Sequence, residues 1–108
     1  METVSPQQAL EMVKAGAAYG IDVREREEWD LGHYEMFALN SLSTFDVASL
    51  PTDKPIIFIC RSGGRSQKAC NAVEPTGLKV INMEGGMLAW QAAELPMSAK
   101  DGAPKIVQ

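Results

Sequence analysis

Residues 55–66 of the chain read Pro55-Ile56-Ile57-Phe58-Ile59-Cys60-Arg61-Ser62-Gly63-Gly64-Arg65-Ser66. The run Ile56–Ile59 has no polar alternation and contains three β-branched residues, which is typical of a central strand buried on both faces. A helix is predicted from about Arg65 to Val73, so the strand leads directly into a short glycine-rich loop that begins at Cys60. In an open α/β sheet, ligands bind beyond the carboxyl ends of the strands, which is where this loop must lie.

Short apolar runs and amphipathic segments alternate on both sides of this stretch. Further strands are predicted at residues 18–23, 37–41 and 78–81. Helices are predicted from a Ser5-Pro6 start to near Gly16, over 24–31, briefly before Pro51 with Ser43 or Thr44 as cap, and from Met87 onward. Strands interleaved with helices at this spacing predict right-handed crossovers, and therefore an α/β domain whose mostly parallel sheet is flanked by helices on both faces.

The composition is that of one compact domain. The 108 residues are 45% hydrophobic and 22% charged, with two cysteines and a formal net charge of −4. These values argue against disorder, a disulfide scaffold and nucleic-acid binding. The longest apolar run is too short to span a membrane, and the first residues lack the pattern of a signal peptide. We therefore expect a single domain over residues 1–108, located in the cytoplasm where thiols stay reduced, with neither a membrane nor a nucleic acid as partner.

The loop from Cys60 to Arg65 is suited to anion chemistry. The eleven residues from Cys60 onward carry three basic and no acidic side chains, although the chain is acidic overall. Backbone N–H groups, a helix N-terminus, Arg61 and Arg65 all bring positive charge to one point, and such surroundings lower a cysteine pKa from about 8.5 to roughly 3.5–7.5. Gly63 and Gly64 can take positive φ and let the backbone curl around the sulfur. Cys60 is therefore predicted to be a reactive thiolate.

Together with three other pieces of the sequence, this loop resembles the single-domain rhodaneses, a family of sulfurtransferases. The pieces lie in the family order: Ile21-Asp22-Val23-Arg24-Glu25, Gly32-His33 with Ala38-Leu39-Asn40, Cys60-Arg61-Ser62-Gly63-Gly64-Arg65-Ser66, and Asn82-Met83-Glu84-Gly85-Gly86 through Trp90. The resemblance implies a rhodanese-like fold with a central, mostly parallel five-stranded sheet and helices on both faces.

The resemblance also implies a chemistry for the loop. Cys60 would attack the sulfane sulfur of thiosulfate or a related small anion, hold it as a persulfide and pass it to cyanide or a thiol. A protein could also serve as sulfur donor or acceptor. Neither a metal nor an organic cofactor is required. The substrate would be held by the rest of the loop, namely Arg61, Ser62, Gly63, Gly64 and Arg65.

Two other functions stay open at this point. A sulfur-carrier or docking module loaded by protein partners would use the same persulfide. Residues 34–37 favour it, because they are bulkier than the family pattern and are expected near the rim of the site. Arsenate reductase or phosphatase chemistry is disfavoured, because the cradle from Cys60 to Arg65 is one residue shorter than that of the cysteine phosphatases.

The remaining candidate residues are assigned structural roles. Asp22 is expected to be paired or to cap at a strand end, since an unpaired buried carboxylate is costly. His33 is expected to form a hydrogen bond at a helix end, Cys70 to pack as a small buried side chain, and the acids of the run 24–28 to form a solvated helix face. Residues 94–108 carry no family signal and leave two alternatives, a flexible tail or a segment packed over the domain.

Overall fold

Five strands form one sheet within residues 2–106, the part of the chain that the computed structural model describes. They are β1 (Glu2–Val4), β2 (Tyr19–Asp22), β3 (Phe37–Leu39), β4 (Ile56–Ile59) and β5 (Val80–Met83). The α-helices that accompany them are α1 (Pro6–Lys14), α2 (Arg26–Leu31), α3 (Gly64–Val73) and α4 (Gly86–Ala92). All neighbouring strands are parallel, in the order β1-β5-β4-β2-β3. The predicted α/β class and five-stranded sheet are confirmed.

β4 is the central strand, and its side chains alternate between two cores. Ile57 and Ile59 pack with residues of α1 and α4, whereas Ile56 and Phe58 pack with residues of α3. All four side chains are buried on one face or the other, which is why the strand shows no polar alternation in the sequence. Its central position places the loop that follows it between the carboxyl ends of β2 and β5.

Three local elements differ from the sequence predictions. β1 was not predicted, because its three residues carry no apolar run and it is held by pairing with β5 at the sheet edge. β5 begins at Val80, two residues later than expected. The brief helix before Pro51 is instead two short 3-10 turns, at 42–44 and 47–49. The second turn is capped by Asp46, whose carboxylate accepts a backbone hydrogen bond of 3.0 Å, so the expectation of a Ser43 or Thr44 cap was wrong.

The bulky segment 34–37 fills core volume. The rings of Tyr34, Phe37 and Trp90 meet pairwise with centroids 5.0 Å apart, and all three residues are buried. Phe37 occupies the space beside Gly20, where an added Cβ would lie 2.2 Å from its ring. Met36 is 50% exposed. The size of this segment is therefore explained largely by packing inside the domain.

The C-terminal tail packs over the domain as far as it is described, so of the two alternatives the structure shows the packed one. His33 and Ser98 exchange backbone hydrogen bonds in an isolated antiparallel bridge, and Ile106 is buried. Residues 107 and 108, also part of the predicted tail, lie outside the described residues. Over residues 2–106, the helices are too short or too polar to cross a membrane.

Candidate active site

The sulfur of Cys60 lies at the start of the loop between β4 and α3. Gly63 adopts φ 115°, a left-handed conformation that glycine reaches without Cβ strain, and its N–H donates to the sulfur at 2.9 Å. The hydroxyl of Ser66, in the first turn of α3, lies 3.3 Å from the same sulfur. Cys60 is only 1% exposed. The loop therefore surrounds the thiol with hydrogen-bond donors.

Opposing effects act on the thiol of Cys60. Burial raises its pKa, but the hydrogen bonds from Ser66 and from the N–H groups of Gly63 and Ser62 stabilise the thiolate more strongly. The pKa therefore lies below that of an ordinary cysteine. Because the thiolate is the nucleophilic form, these hydrogen bonds favour the reactive state of the sulfur.

Ser66 and Asn82 are site residues that the sequence analysis did not single out. The Ser66 hydroxyl lies 2.5 Å from Oδ1 of Asn82 on β5 and 3.1 Å from the carbonyl oxygen of Gly63. Nδ2 of Asn82 donates to that same carbonyl at 3.3 Å. With one proton to donate, Ser66 can bond Asn82 while the thiol is neutral and turn to the sulfur once it is ionised. The position of Ser66, a hydroxyl residue in the first turn of the helix that follows the cysteine loop, is the sequence signal that could have identified it as a site residue.

The start of α4 holds the backbone of the loop from the other side. Met87 donates its N–H to the carbonyl of Cys60 at 2.8 Å, and Leu88 donates to that of Arg61 at 3.0 Å. Gly86 allows this approach, since a Cβ there would lie 2.5 Å from the backbone atoms of Cys60 and Arg61. Two carbonyls that could repel an anion are thereby occupied and turned away from the cradle.

Arg65 does not project freely into the loop. Its guanidinium donates to both carboxylate oxygens of Glu28 on α2, at 2.5 and 2.8 Å. The hydrogen bond from Arg65 is the main cause that lowers the pKa of Glu28, and the pair raises the pKa of Arg65. The prediction that the run 24–28 is a solvated helix face was therefore wrong for Glu28.

The other loop residues form the outer surface of the cradle. Ser62 and Gly64 are exposed, and Arg61 is half-buried. Together with the N–H groups directed at the sulfur, the guanidinium of Arg61 brings positive charge to this outer surface. The structure thus brings together all the predicted loop residues, with Arg65 held at the edge by Glu28.

Arg24 is buried and pairs with Asp22 beside the loop. Both are 0% exposed, and two guanidinium nitrogens bond the Asp22 carboxylate, the shortest contact being 2.7 Å. Arg24 also donates to the carbonyl of Gly32 at 2.8 Å. Asp22 is therefore paired, as expected, and joins the end of β2 to the end of α2.

His33 and Cys70 occupy structural positions. Nδ1 of His33 lies 2.7 Å from the carbonyl oxygen of Trp29, and the two rings stack with centroids 4.1 Å apart. Cys70 is buried on α3, where burial raises its pKa to about 11. It is therefore unreactive at neutral pH. Among residues 2–106, His, Cys, Asp and Glu side chains do not gather into a group that could hold a metal ion.

Comparison with known proteins links this geometry to a family. The rhodanese-like domain matches residues 5–93. A putative sulfurtransferase, YtwF of Bacillus subtilis, is 39% identical over 80 residues, covering 72% of this chain and 78% of the relative. Thiosulfate sulfurtransferase GlpE of Haemophilus influenzae is 34% identical over 97 residues, covering 87% and 91%. The crystal structure of a rhodanese-related protein from Thermoplasma volcanium superposes with a TM-score of 0.83 at 26% identity, covering 91% of this chain and 98% of that one.

Proposed function

We propose that this chain, which belongs to the rhodanese-like domain family, is a sulfurtransferase that carries sulfur on Cys60. The observation that carries the proposal is the buried thiol with a lowered pKa, which receives hydrogen bonds from Gly63 and Ser66 in a loop between a strand and a helix. The sulfurtransferase names of two relatives support the same reaction class.

The proposed reaction has two covalent steps. The thiolate of Cys60 attacks the sulfane sulfur of thiosulfate, a new S–S bond forms, the donor S–S bond breaks, and sulfite leaves with the bonding electron pair. Cyanide or a thiolate then attacks the outer sulfur of the persulfide. The Cys60 thiolate leaves with its electron pair, so the enzyme returns to its first state.

The loop is proposed to assist both steps by electrostatics. Backbone N–H groups aimed at the sulfur stabilise negative charge on the thiolate when it is the nucleophile and again when it is the leaving group. The positive charge of Arg61 and Arg65 favours a dianionic donor. GlpE, named a thiosulfate sulfurtransferase, supports thiosulfate as the donor. We also propose the cytoplasm as the location, because the reaction needs Cys60 as a reduced thiol.

Mass spectrometry after incubation with thiosulfate tests the proposal. The reduced protein is expected to gain the mass of one sulfur atom on Cys60 and to produce thiocyanate when cyanide is added. A C60S variant is expected to lose both the adduct and the product. C70S is the matched control and is expected to keep both. Failure of the reduced wild-type protein to form an adduct would exclude the proposed reaction.

The same experiment separates the alternatives. Fast turnover with free thiosulfate and cyanide supports the enzyme. A stable persulfide with slow turnover would instead support a carrier that is loaded and unloaded by proteins. In separate assays, reduction of arsenate to arsenite by an added thiol that is itself oxidised to a disulfide, or release of phosphate from a phosphate ester, without any persulfide, would favour oxyanion chemistry at the same cysteine.

A further inference from the structure

The tail formed by residues 94–106 lies outside the matched family region and connects the two helices that hold the reactive loop. At one side it contacts α4: Nε1 of Trp90 donates to the carbonyl of Pro96 at 2.9 Å, and the side chain of Gln91 accepts the N–H of Ile106 at 3.0 Å. Ile106 is buried, and Leu95 and Met97 pack against the same core. The tail is thus anchored to the helix whose first N–H groups hold the carbonyls of the loop.

At its other side the tail covers the end of α2. Lys100 donates its N–H to the carbonyl of Asp30 at 2.8 Å, and Lys105 donates to that of Leu31 at 2.9 Å. These are carbonyl groups at the C-terminal end of a helix, which have no partner inside the helix itself. The approach is close, since a Cβ on Gly32 would lie 2.3 Å from the backbone oxygen of Lys105. The tail therefore supplies the C-terminal cap of α2.

Besides the tail, α2 is held by Trp29, which packs against the core and stacks on His33, and by the bond from Arg24 to the carbonyl of Gly32. The helix is six residues long, and its residues are all half-buried or exposed. A helix this short is not stable alone, so its position depends on contacts with the rest of the domain. Its carboxylate at Glu28, which also accepts the N–H of Glu25 at 3.1 Å, holds the guanidinium of Arg65. Whatever positions α2 thus also positions Arg65.

We propose that the tail formed by residues 94–106 is a positioning element for the reactive loop, which fixes α2 and, through Glu28, orients the guanidinium of Arg65 at the cradle. A cation held in place stabilises an incoming anion without reorganising, whereas a released arginine spends its time in many rotamers. The expected effect of the tail on binding of the sulfur donor rests on the proposed sulfurtransferase function. Its expected effect on the positive charge near Cys60 does not depend on that function.

The experiment compares two substitutions at Ser98 in the full-length chain. S98P removes the N–H that bonds the carbonyl of His33 at 2.7 Å, whereas S98A keeps it and removes only the hydroxyl, which bonds Glu35. Alkylation of Cys60 is measured with iodoacetate, which is an anion, and with iodoacetamide, which is neutral. The ratio of the two rates reports the positive charge at the sulfur and cancels changes in thiol ionisation.

We expect S98P to lower the ratio of the iodoacetate rate to the iodoacetamide rate by about threefold, in the range of a weakly screened ion pair. KM for thiosulfate should rise by a similar factor with a smaller change in kcat, and S98A should match the wild type in all measurements. An unchanged ratio in a folded S98P protein would overturn the proposal, even where its unfolding midpoint falls. If the wild type forms no persulfide, the proposed function fails, while the alkylation ratio still decides the role of the tail.

A second pair of variants covers the case in which S98P does not fold. K100P removes the lysine side chain together with the N–H that bonds Asp30, whereas K100A removes the same charge and keeps the N–H. A folded K100P protein with a lowered alkylation ratio supports the proposal, and one with the ratio of K100A overturns it. Loss of the fold in both proline variants would mean that the tail supports the whole domain and not the site, which also overturns it.

Discussion

Glu28 and Arg65 are 37 positions apart in the chain, and their side chains meet through two parallel hydrogen bonds of 2.5 and 2.8 Å. Such a bidentate pair fixes the plane of the guanidinium as well as its distance. The pair joins α2 to the first turn of α3, next to the loop that contains Cys60. Through this pair α2, an acidic helix that is distant in the sequence, forms one side of the site around Cys60.

Replacing Glu28 by glutamine tests this pair through the pH dependence of stability. The pKa of Glu28 is lowered in the folded protein, chiefly by Arg65, so its stabilisation is complete above the unfolded pKa of about 4.3 and is lost as pH falls through the lower folded value. We expect E28Q to be less stable than the wild type at pH 7 by at most about 1 kcal/mol. The difference should shrink toward about pH 3, as measured by urea unfolding at each pH.

The control for this prediction is E27Q, at the exposed neighbouring position of the same helix. It removes the same charge without touching Arg65, so its difference from the wild type is expected to be smaller at pH 7. A loss in E27Q equal to that in E28Q would mean that net charge, and not the pair, causes the effect.

Replacing Ser66 by alanine tests the hydroxyl beside the sulfur. Because the hydrogen bond from Ser66 helps to lower the pKa of Cys60, we expect its removal to raise that pKa. A hydrogen bond to a charged group contributes about 1.5 kcal/mol or more, so the pKa of Cys60 should rise by about one unit and alkylation should slow by up to roughly tenfold at pH values below that pKa. S49A, at an exposed serine of a 3-10 turn, is the matched control. Equal alkylation rates in S66A and the wild type would exclude the role of the hydroxyl.

The two cysteines are expected to react very differently. The pKa of Cys60 lies below that of an ordinary cysteine, so a larger fraction of it is thiolate at a given pH, whereas burial raises the pKa of Cys70 to about 11. With substoichiometric iodoacetamide at pH 7, peptide mass spectrometry should find the label on Cys60. Cys70 should become labelled only after unfolding in urea. Comparable labelling of both residues in the folded protein would contradict the assignment.

Replacing Gly86 by alanine tests the contact between α4 and the loop. Gly86 has φ 57°, and an added Cβ would collide with the backbone of Cys60 and Arg61 at 2.5 Å. Gly77, with φ 89° and no atom within 4 Å of its added Cβ, is a control that carries only the conformational cost. We expect G77A to cost about 1 kcal/mol of unfolding free energy. G86A should cost roughly 1–3 kcal/mol more, because the loop backbone must shift.

The measurement for this pair is urea unfolding together with the rate of thiocyanate formation. G86A is expected to lose activity as well as stability, since the carbonyls of Cys60 and Arg61 move with the loop. G77A should lose stability alone. Similar losses of stability in G86A and G77A would mean that the surrounding structure shifts to remove the clash between residue 86 and the loop at little cost, which would contradict the prediction.

Local sequence determined the parts of the site that are contiguous in the chain. The four residues of β4 are apolar on both faces, the residues after them include the glycine that turns its N–H to the sulfur, and a helix follows at once. Each of these features depends on backbone preferences and burial within a dozen residues. For that reason the strand, the loop and the reactivity of Cys60 could be predicted from the chain alone, and the remaining strands and helices only to within a few residues.

Tertiary structure decided which distant side chains complete the site. Asn82 reaches Ser66 because β5 lies beside β4, Glu28 reaches Arg65 because α2 lies beside the loop, and the tail docks on both α2 and α4. Sequence spacing does not predict these contacts, because each depends on the order of the parallel strands and on the path of the connections between them. The chain alone thus predicted Cys60 as the nucleophile, and the packing of the domain determined which distant residues surround it.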